Sequence, residues 1–154
     1  MEQLLQFLNT IPEYTAVVQS LQNGESVAVT GIGQINRSHM LAGLCRSLSR
    51  PMVIVCQDDM AAKRLQEELK GFLSETVPIL PGRDLTLYDT AVVSRSWEQK
   101  RLRQLYDLAV GKNALQIMTW ESLSLRTMPK ATLLSAAFLW RPAENMPSTN
   151  WQAG

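Results

Sequence analysis

The chain is poor in the residues from which metal centres and proton relays are built. It holds one histidine, His39, and two cysteines, Cys45 and Cys56. No Cys-x-x-Cys pair occurs, which argues against a structural zinc site, since zinc needs four closely gathered nitrogen or sulfur ligands. Two isolated cysteines read instead as small buried hydrophobes in a reducing compartment. Long apolar runs are also missing: no stretch approaches the ~20 residues that a membrane helix requires. Residues 1–14 lack the basic segment followed by an apolar one that marks a secretory leader. Together these absences predict a soluble cytoplasmic protein with no membrane contact. Charge of one sign is lacking too. Fifteen Lys and Arg stand against fourteen Asp and Glu, a formal net charge of +1, so the chain has no overall basic footprint of a dedicated nucleic-acid binder. What remains is a globular composition, 45% hydrophobic and 19% charged in 154 residues. A domain near this size hides about two thirds of its unfolded surface.

The apolar pattern alternates between two periods. Leu4, Leu5 and Leu8, then Tyr14, Val17, Val18 and Leu21, recur at helical spacing with a break at Pro12, and Asn23-Gly24 closes the segment. Residues 26–30 (Ser-Val-Ala-Val-Thr) form a short run read as a buried strand, and 31–36 as a loop. Helical spacing returns over 37–48. A second strand covers 52–56 (Met-Val-Ile-Val-Cys), and Asp58 or Asp59 caps the helix that follows, with Ala61, Leu65, Leu69 and Phe72 on one face. Further strands are expected at 75–80 and 114–119, a loop at 81–89, a long helix from Ser94 to Gly111, and a short one over 120–125. In the long helix Trp97, Leu102, Leu105, Leu108 and Ala109 are expected inward. Strands alternating with helices predict an α/β fold, a parallel sheet flanked by helices on both faces.

The informative segment is 29–38, Val-Thr-Gly-Ile-Gly-Gln-Ile-Asn-Arg-Ser. A phosphate loop, GxxxxGK[ST], sits between a strand and a helix. Its amides cradle phosphate, its Lys reaches the terminal phosphates and its hydroxyl holds magnesium. Gly31 and Ser38 match this pattern, but Asn36 replaces the second glycine and Arg37 replaces the lysine. Asn tolerates a left-handed turn, yet its side chain fills space that phosphate needs, and Arg is no substitute for a compact ammonium. No later strand ends in a magnesium-holding carboxylate. Asp58 and Asp59 follow the next strand and are better read as helix caps. The loop is therefore read as a relic with no catalytic residue and no required cofactor, which leaves only weak nucleotide or anion binding open.

Elsewhere the signals are plainer. His39 lies inside the helix after the loop, where a lone histidine is read as a surface or half-buried residue rather than a catalyst. Arg95, Lys100, Arg101 and Arg103 give the long helix a basic side, balanced by Glu98 and Asp107 and read chiefly as a solvated face. Trp97 and Trp120 are expected to pack in the core or at its edge.

Taken together, several segments form a recognisable series: Val-Thr-Gly31 before the altered loop, Val-Ile-Val-Cys56 with the helix 61–69, and Leu-Pro-Gly-Arg-Asp-Leu-Thr-Leu-Tyr-Asp over 80–89. Ser-Arg-Ser-Trp-Glu-Gln-Lys-Arg-Leu over 94–102, Ile-Met-Thr-Trp-Glu-Ser-Leu over 117–123 and Met128-Pro129 complete it. Over about residues 1–140 the chain resembles the N-terminal module of transcription-repair coupling factors (Mfd). That module is similar to the first domain of the excinuclease subunit UvrB, in which the phosphate loop is intact. The resemblance implies a degenerate P-loop helicase-like fold over 1–129, without ATPase function, acting as a docking module in nucleotide excision repair. It implies UvrA, RNA polymerase and DNA as partners of a full-length protein whose ATP-driven translocase lies elsewhere. Asp84, Tyr88, Arg95 and Arg101, around the most specific box, are the implied partner or DNA contacts. The family's UvrA contacts lie mainly in an inserted second domain. Residues 130–140 are read as the truncated start of that domain, so UvrA binding by this chain alone is not expected. Residues 141–154 are irregular. Back-translated with permitted codons and shifted by one base, 142–154 can read Arg-Glu-Tyr-Ala-Leu-Asp-Lys-Leu-Ala-Gly, the expectation for a frameshift-derived tail. Two competing readings stand beside the docking module: a nucleotide-binding helicase or ATPase domain, and a non-functional gene fragment.

Overall fold

The computed structural model describes residues 2–82 and 95–137, the side chains of residues 2, 3 and 95 excepted. The expected loop from Arg83 onward, including Asp84 and Tyr88, and the tail 141–154 lie outside the described residues. The elements run α1 (Glu2–Leu8), α2 (Pro12–Gln22), α3 (Gln34–Leu48), β1 (Met52–Cys56), α4 (Asp59–Phe72), β2 (Ile79–Leu80), α5 (Arg95–Ala109), β3 (Leu115–Thr119), α6 (Trp120–Ser124) and α7 (Lys130–Ala136).

Three strands form a parallel sheet in the order β1-β3-β2. Met52 pairs with Leu115 and Cys56 with Thr119, while Ile79 pairs with Ile117. β3 is central, and all five of its residues are buried. This is the rule for a parallel strand covered on both faces and explains its nearly unbroken apolar run. On β1, Met52, Ile54 and Cys56 pack against the core, which leaves Val53 and Val55 on the other face, each 46% exposed. α4 lies against the sheet with Ala62, Leu65 and Leu69 buried. Its start is fixed by Asp58, whose Oδ1 accepts from the Ala61 N–H at 2.7 Å, the expected cap.

Around α3 the three N-terminal helices close a second layer. Leu5 and Leu8 of α1, Tyr14 of α2 and Ala42 and Leu44 of α3 join Leu65 and Leu69 in one core cluster. Pro12 starts α2 at the position where its missing N–H costs nothing, so α1 and α2 separate as the sequence suggests. The Tyr14 hydroxyl is 2.9 Å from Ser47 Oγ. Gly43 is the point of closest approach: a Cβ there would collide with Leu8 Cδ1 and lie 2.9 Å from the Tyr14 hydroxyl.

Four expectations need correction. Residues 26–30 are not a strand; they join α2 to α3 without ladder partners, and every one of them is exposed. An apolar β-branched run becomes a strand only when a neighbour supplies hydrogen bonds, and among the described residues no strand pairs with it. The strand expected at 75–80 shrinks to Ile79–Leu80. Pro78 has no N–H to continue the ladder, although its carbonyl still accepts from the Ile117 N–H at 3.0 Å. Helix α3 starts at Gln34 rather than Arg37, absorbing half of the expected loop. Finally, Leu102 (46% exposed) and Trp120 (68% exposed) face outward, not into the core. α7, where a second domain was expected to begin, packs against α5 and buries Leu133.

Gly43→Ala is expected to destabilise the protein by about 1–3 kcal/mol through overpacking, despite a helix-propensity gain of ~1 kcal/mol. Urea unfolding followed by circular dichroism measures the net effect. A variant as stable as the parent would mean that α1 and α2 do not press on α3 as described.

Candidate functional site

The relic phosphate loop is shaped by the start of α3. Gly31 adopts a left-handed φ of 79°, which suits the first glycine of such a loop. The resemblance ends there. Gly33 is the N-cap, and its carbonyl accepts from the N–H groups of Asn36 at 3.0 Å and Arg37 at 3.1 Å. Two amides at the positions that would face phosphate are therefore spent inside the first turn. Ser38 is 1% exposed, and its hydroxyl donates to the Ile35 carbonyl at 3.1 Å. A magnesium-holding hydroxyl must be free and outward, whereas this one is satisfied by its own helix. Arg37 and Asn36 are exposed on the same turn, and Ile35 is 82% exposed. Asn36, Arg37 and Ser38 thus lie in the first turns of α3, and Gly31 precedes the helix, without a strand-borne loop that would make them a cradle.

His39, one residue on, is half-buried. Its Nε2 lies 2.9 Å from the Leu4 carbonyl, and its ring stacks on Phe72 with centroids 5.1 Å apart. It joins α1, α3 and α4 as a packing residue. Among the described residues no group of three or more His, Cys, Asp or Glu is placed to hold a metal ion. Among the same residues no helix is long and apolar enough to cross a membrane.

Ligands of open parallel sheets settle at the C-terminal ends of the strands. Here that end, at β2 and β3, is closed by a side chain that the sequence placed on a solvated face. Arg101 is 7% exposed; its Nη1 donates to the Pro81 carbonyl at 2.6 Å and its Nη2 to the Ser122 carbonyl at 3.1 Å. Burial lowers its pKa, but a guanidinium stays charged, and its fork matches two carbonyls from different segments. Ser122 is held in turn by a capping box with Thr119, whose Oγ1 accepts from the Ser122 N–H at 3.1 Å. Arg101 is thus a clasp between α5, the exit of β2 and the start of α6. The spacing of Leu105 and Leu108 from it could have shown that it lies on the inner side of α5. The side chain of Arg95 lies outside the described residues. The outward cations of α5 are Lys100 and Arg103, the latter 3.5 Å from Asp107, which also meets Lys112 at 3.7 Å.

Both thiols are half-buried, and desolvation pushes each up in pKa. Asp58 adds to the effect at Cys56, while Arg46 opposes it at Cys45.

The chain is similar to a transcription-repair-coupling factor of Myxococcus xanthus, with 28% identity over 132 residues that take in 80% of this chain. The match spans 11% of the length of that relative. No protein-family model matches the chain, and no solved structure matches it. The relationship is weak in identity but runs along most of the chain.

Arg101→Met is expected to lower stability by about 3–6 kcal/mol, because two hydrogen bonds from a charged donor are worth ~1.5–3 kcal/mol each. Arg101→Lys should lose less, since it keeps the charge but not the fork. Thermal unfolding of the three proteins checks the order. Raised thiol pKa values contribute stability that is fully present below the unfolded thiol value of about 8.5. That contribution is lost as pH rises through the higher folded values. Stability should therefore fall more steeply above that pH in the parent than in a Cys45→Ala, Cys56→Ala double variant, as read from urea midpoints across alkaline pH.

Proposed function

We propose that this chain is a non-catalytic docking module related to transcription-repair coupling factors and acting in transcription-coupled nucleotide excision repair. The observation that carries this reading is the match to the Myxococcus xanthus factor along most of the chain. The α/β order of elements supports a UvrB-like, degenerate P-loop helicase-like module as its fold. The loss of catalysis is argued from the α3 turn, where Ser38 Oγ and the Asn36 and Arg37 amides are satisfied within the helix. In this reading no cofactor is needed, and the relic loop retains at most weak nucleotide or anion binding. RNA polymerase, DNA and UvrA are the partners of a full-length protein of this kind. The module acts in the cytoplasm.

The left-handed Gly31 favours a second reading, a nucleotide-binding ATPase domain. Thermal unfolding with magnesium ATP separates the two, because a ligand present at ~100 times its Kd raises stability by about 2.7 kcal/mol. The docking reading expects no shift at millimolar nucleotide, and none after Asn36→Gly with Arg37→Lys. A clear rise in Tm of the unaltered chain would support the ATPase reading and overturn the relic assignment. Co-purification of the tagged chain with RNA polymerase and with UvrA tests docking itself; no association with either would sink it.

A further inference from the structure

Between α4 and α5, against β2, lies an open cleft of about 380 Å³ to which Lys63, Gln66, Trp97, Lys100, Gln104 and Asp59 contribute. It continues along α5 into a shallower groove that shares Lys100 and Gln104. Its size falls in the range of ~300–1,000 Å³ usual for small-molecule clefts. The relic loop contributes nothing to it.

The composition of this cleft is unlike a solvated helix face. Trp97 is half-buried, with an aromatic surface left at the cleft, while Lys63 and Lys100 are exposed and neither forms an ion pair among the described residues. Asp59 is the carboxylate that opposes them. In the adjoining groove Asp107 is already matched by Arg103 and Lys112. Gln66 is held by its Nε2, which donates to the Val77 carbonyl at 2.6 Å, so its amide is oriented in advance. Gln104 lines the same cleft, and its Oε1, like that of Gln116 in β3, is buried with no hydrogen-bond partner among the described residues. A buried unpaired acceptor is costly and calls for a donor.

We propose that this cleft binds a nucleotide unit of single-stranded nucleic acid. The base lies against the Trp97 indole, the phosphate sits between the Lys63 and Lys100 ammonium groups, and the base edge lies towards the Gln66 carboxamide. An aromatic platform beside a pair of cations is how single strands are held without sequence preference. An acidic peptide would use the lysines but leave the indole without a role. The proposal stands on the cleft and does not rest on the docking function.

The test is fluorescence anisotropy of a labelled single-stranded oligothymidylate of about a dozen nucleotides, within the usual range of single-strand site sizes, titrated with the full chain. Saturable binding is expected at low salt. Trp97→Ala, and separately Lys63→Glu with Lys100→Glu, should each weaken it about tenfold or more. The salt dependence should flatten in the lysine variant, since each phosphate contact contributes a slope of ~0.7 on a single strand. Quenching of tryptophan emission by the oligonucleotide, lost in Trp97→Phe, reports the stack even where Trp97→Ala does not fold. Thymidine monophosphate in place of the oligonucleotide tells a free nucleotide from a strand: displacement of the labelled strand by the monophosphate at similar concentration would overturn the assignment to nucleic acid. Equal competition by polyglutamate would overturn it in favour of an acidic peptide. Undetectable binding, or binding that survives both sets of substitutions, would overturn the site itself.

Discussion

The burial of β3 is the constraint on which the rest of the molecule depends. Both of its edges are paired, and its five residues are out of solvent. A strand in that position must satisfy every polar group it carries. Gln116 meets this demand with half of its carboxamide: its Nε2 donates to the Pro78 carbonyl at 2.9 Å, which locks β2 beside β3 despite the proline that shortens the strand, while its Oε1 is buried without a partner among the described residues. Thr119, at the end of β3, turns its hydroxyl to the first turn of α6, and Arg101 then ties α6 and the exit of β2 to α5. A chain of hydrogen bonds thus runs from the centre of the sheet to the helix at its side. Buried polar networks of this kind specify one arrangement because each member left alone would be penalised.

The same accounting separates the two ends of the sheet. At β2 and β3 Arg101 ties the strand exits together through the Pro81 and Ser122 carbonyls. At β1 the outer edge has no strand beside it among the described residues, and Val53 and Val55 expose their face. The apolar 26–30 segment, which would suit such an edge, is unpaired and exposed. Unpaired, uncharged edges are sticky surfaces, and this is where the chain is least self-sufficient.

The phosphate-loop question turns on a difference of one helical turn. The sequence shows Gly31, Asn36, Arg37 and Ser38 at the spacing of a nucleotide site with wrong chemistry at the second and third. The structure adds that the turn has closed into α3, so the groups a nucleotide would use are partnered inside the protein. The basic character read along α5 is likewise redistributed. Arg101 turns inward as a structural clasp, and Lys100 joins Lys63 and Trp97 around a cleft that joins two helices far apart in sequence.

Period and capping were legible in the sequence by itself. The helices of α1 to α5, the Asp58 cap, the strands at β1 and β3 and the altered phosphate loop all follow from interactions within a few residues. Such local signals need no knowledge of neighbours. Pairing and facing were decided only in three dimensions. Whether 26–30 becomes a strand depends on a partner at its edge, and whether Arg101 meets solvent or two carbonyls depends on where Pro81 and Ser122 arrive. Whether Trp97 shares a cleft with Lys63 depends on how α5 lies against α4. Each is a contact between segments distant in sequence, and neither side alone carries the geometry that decides it.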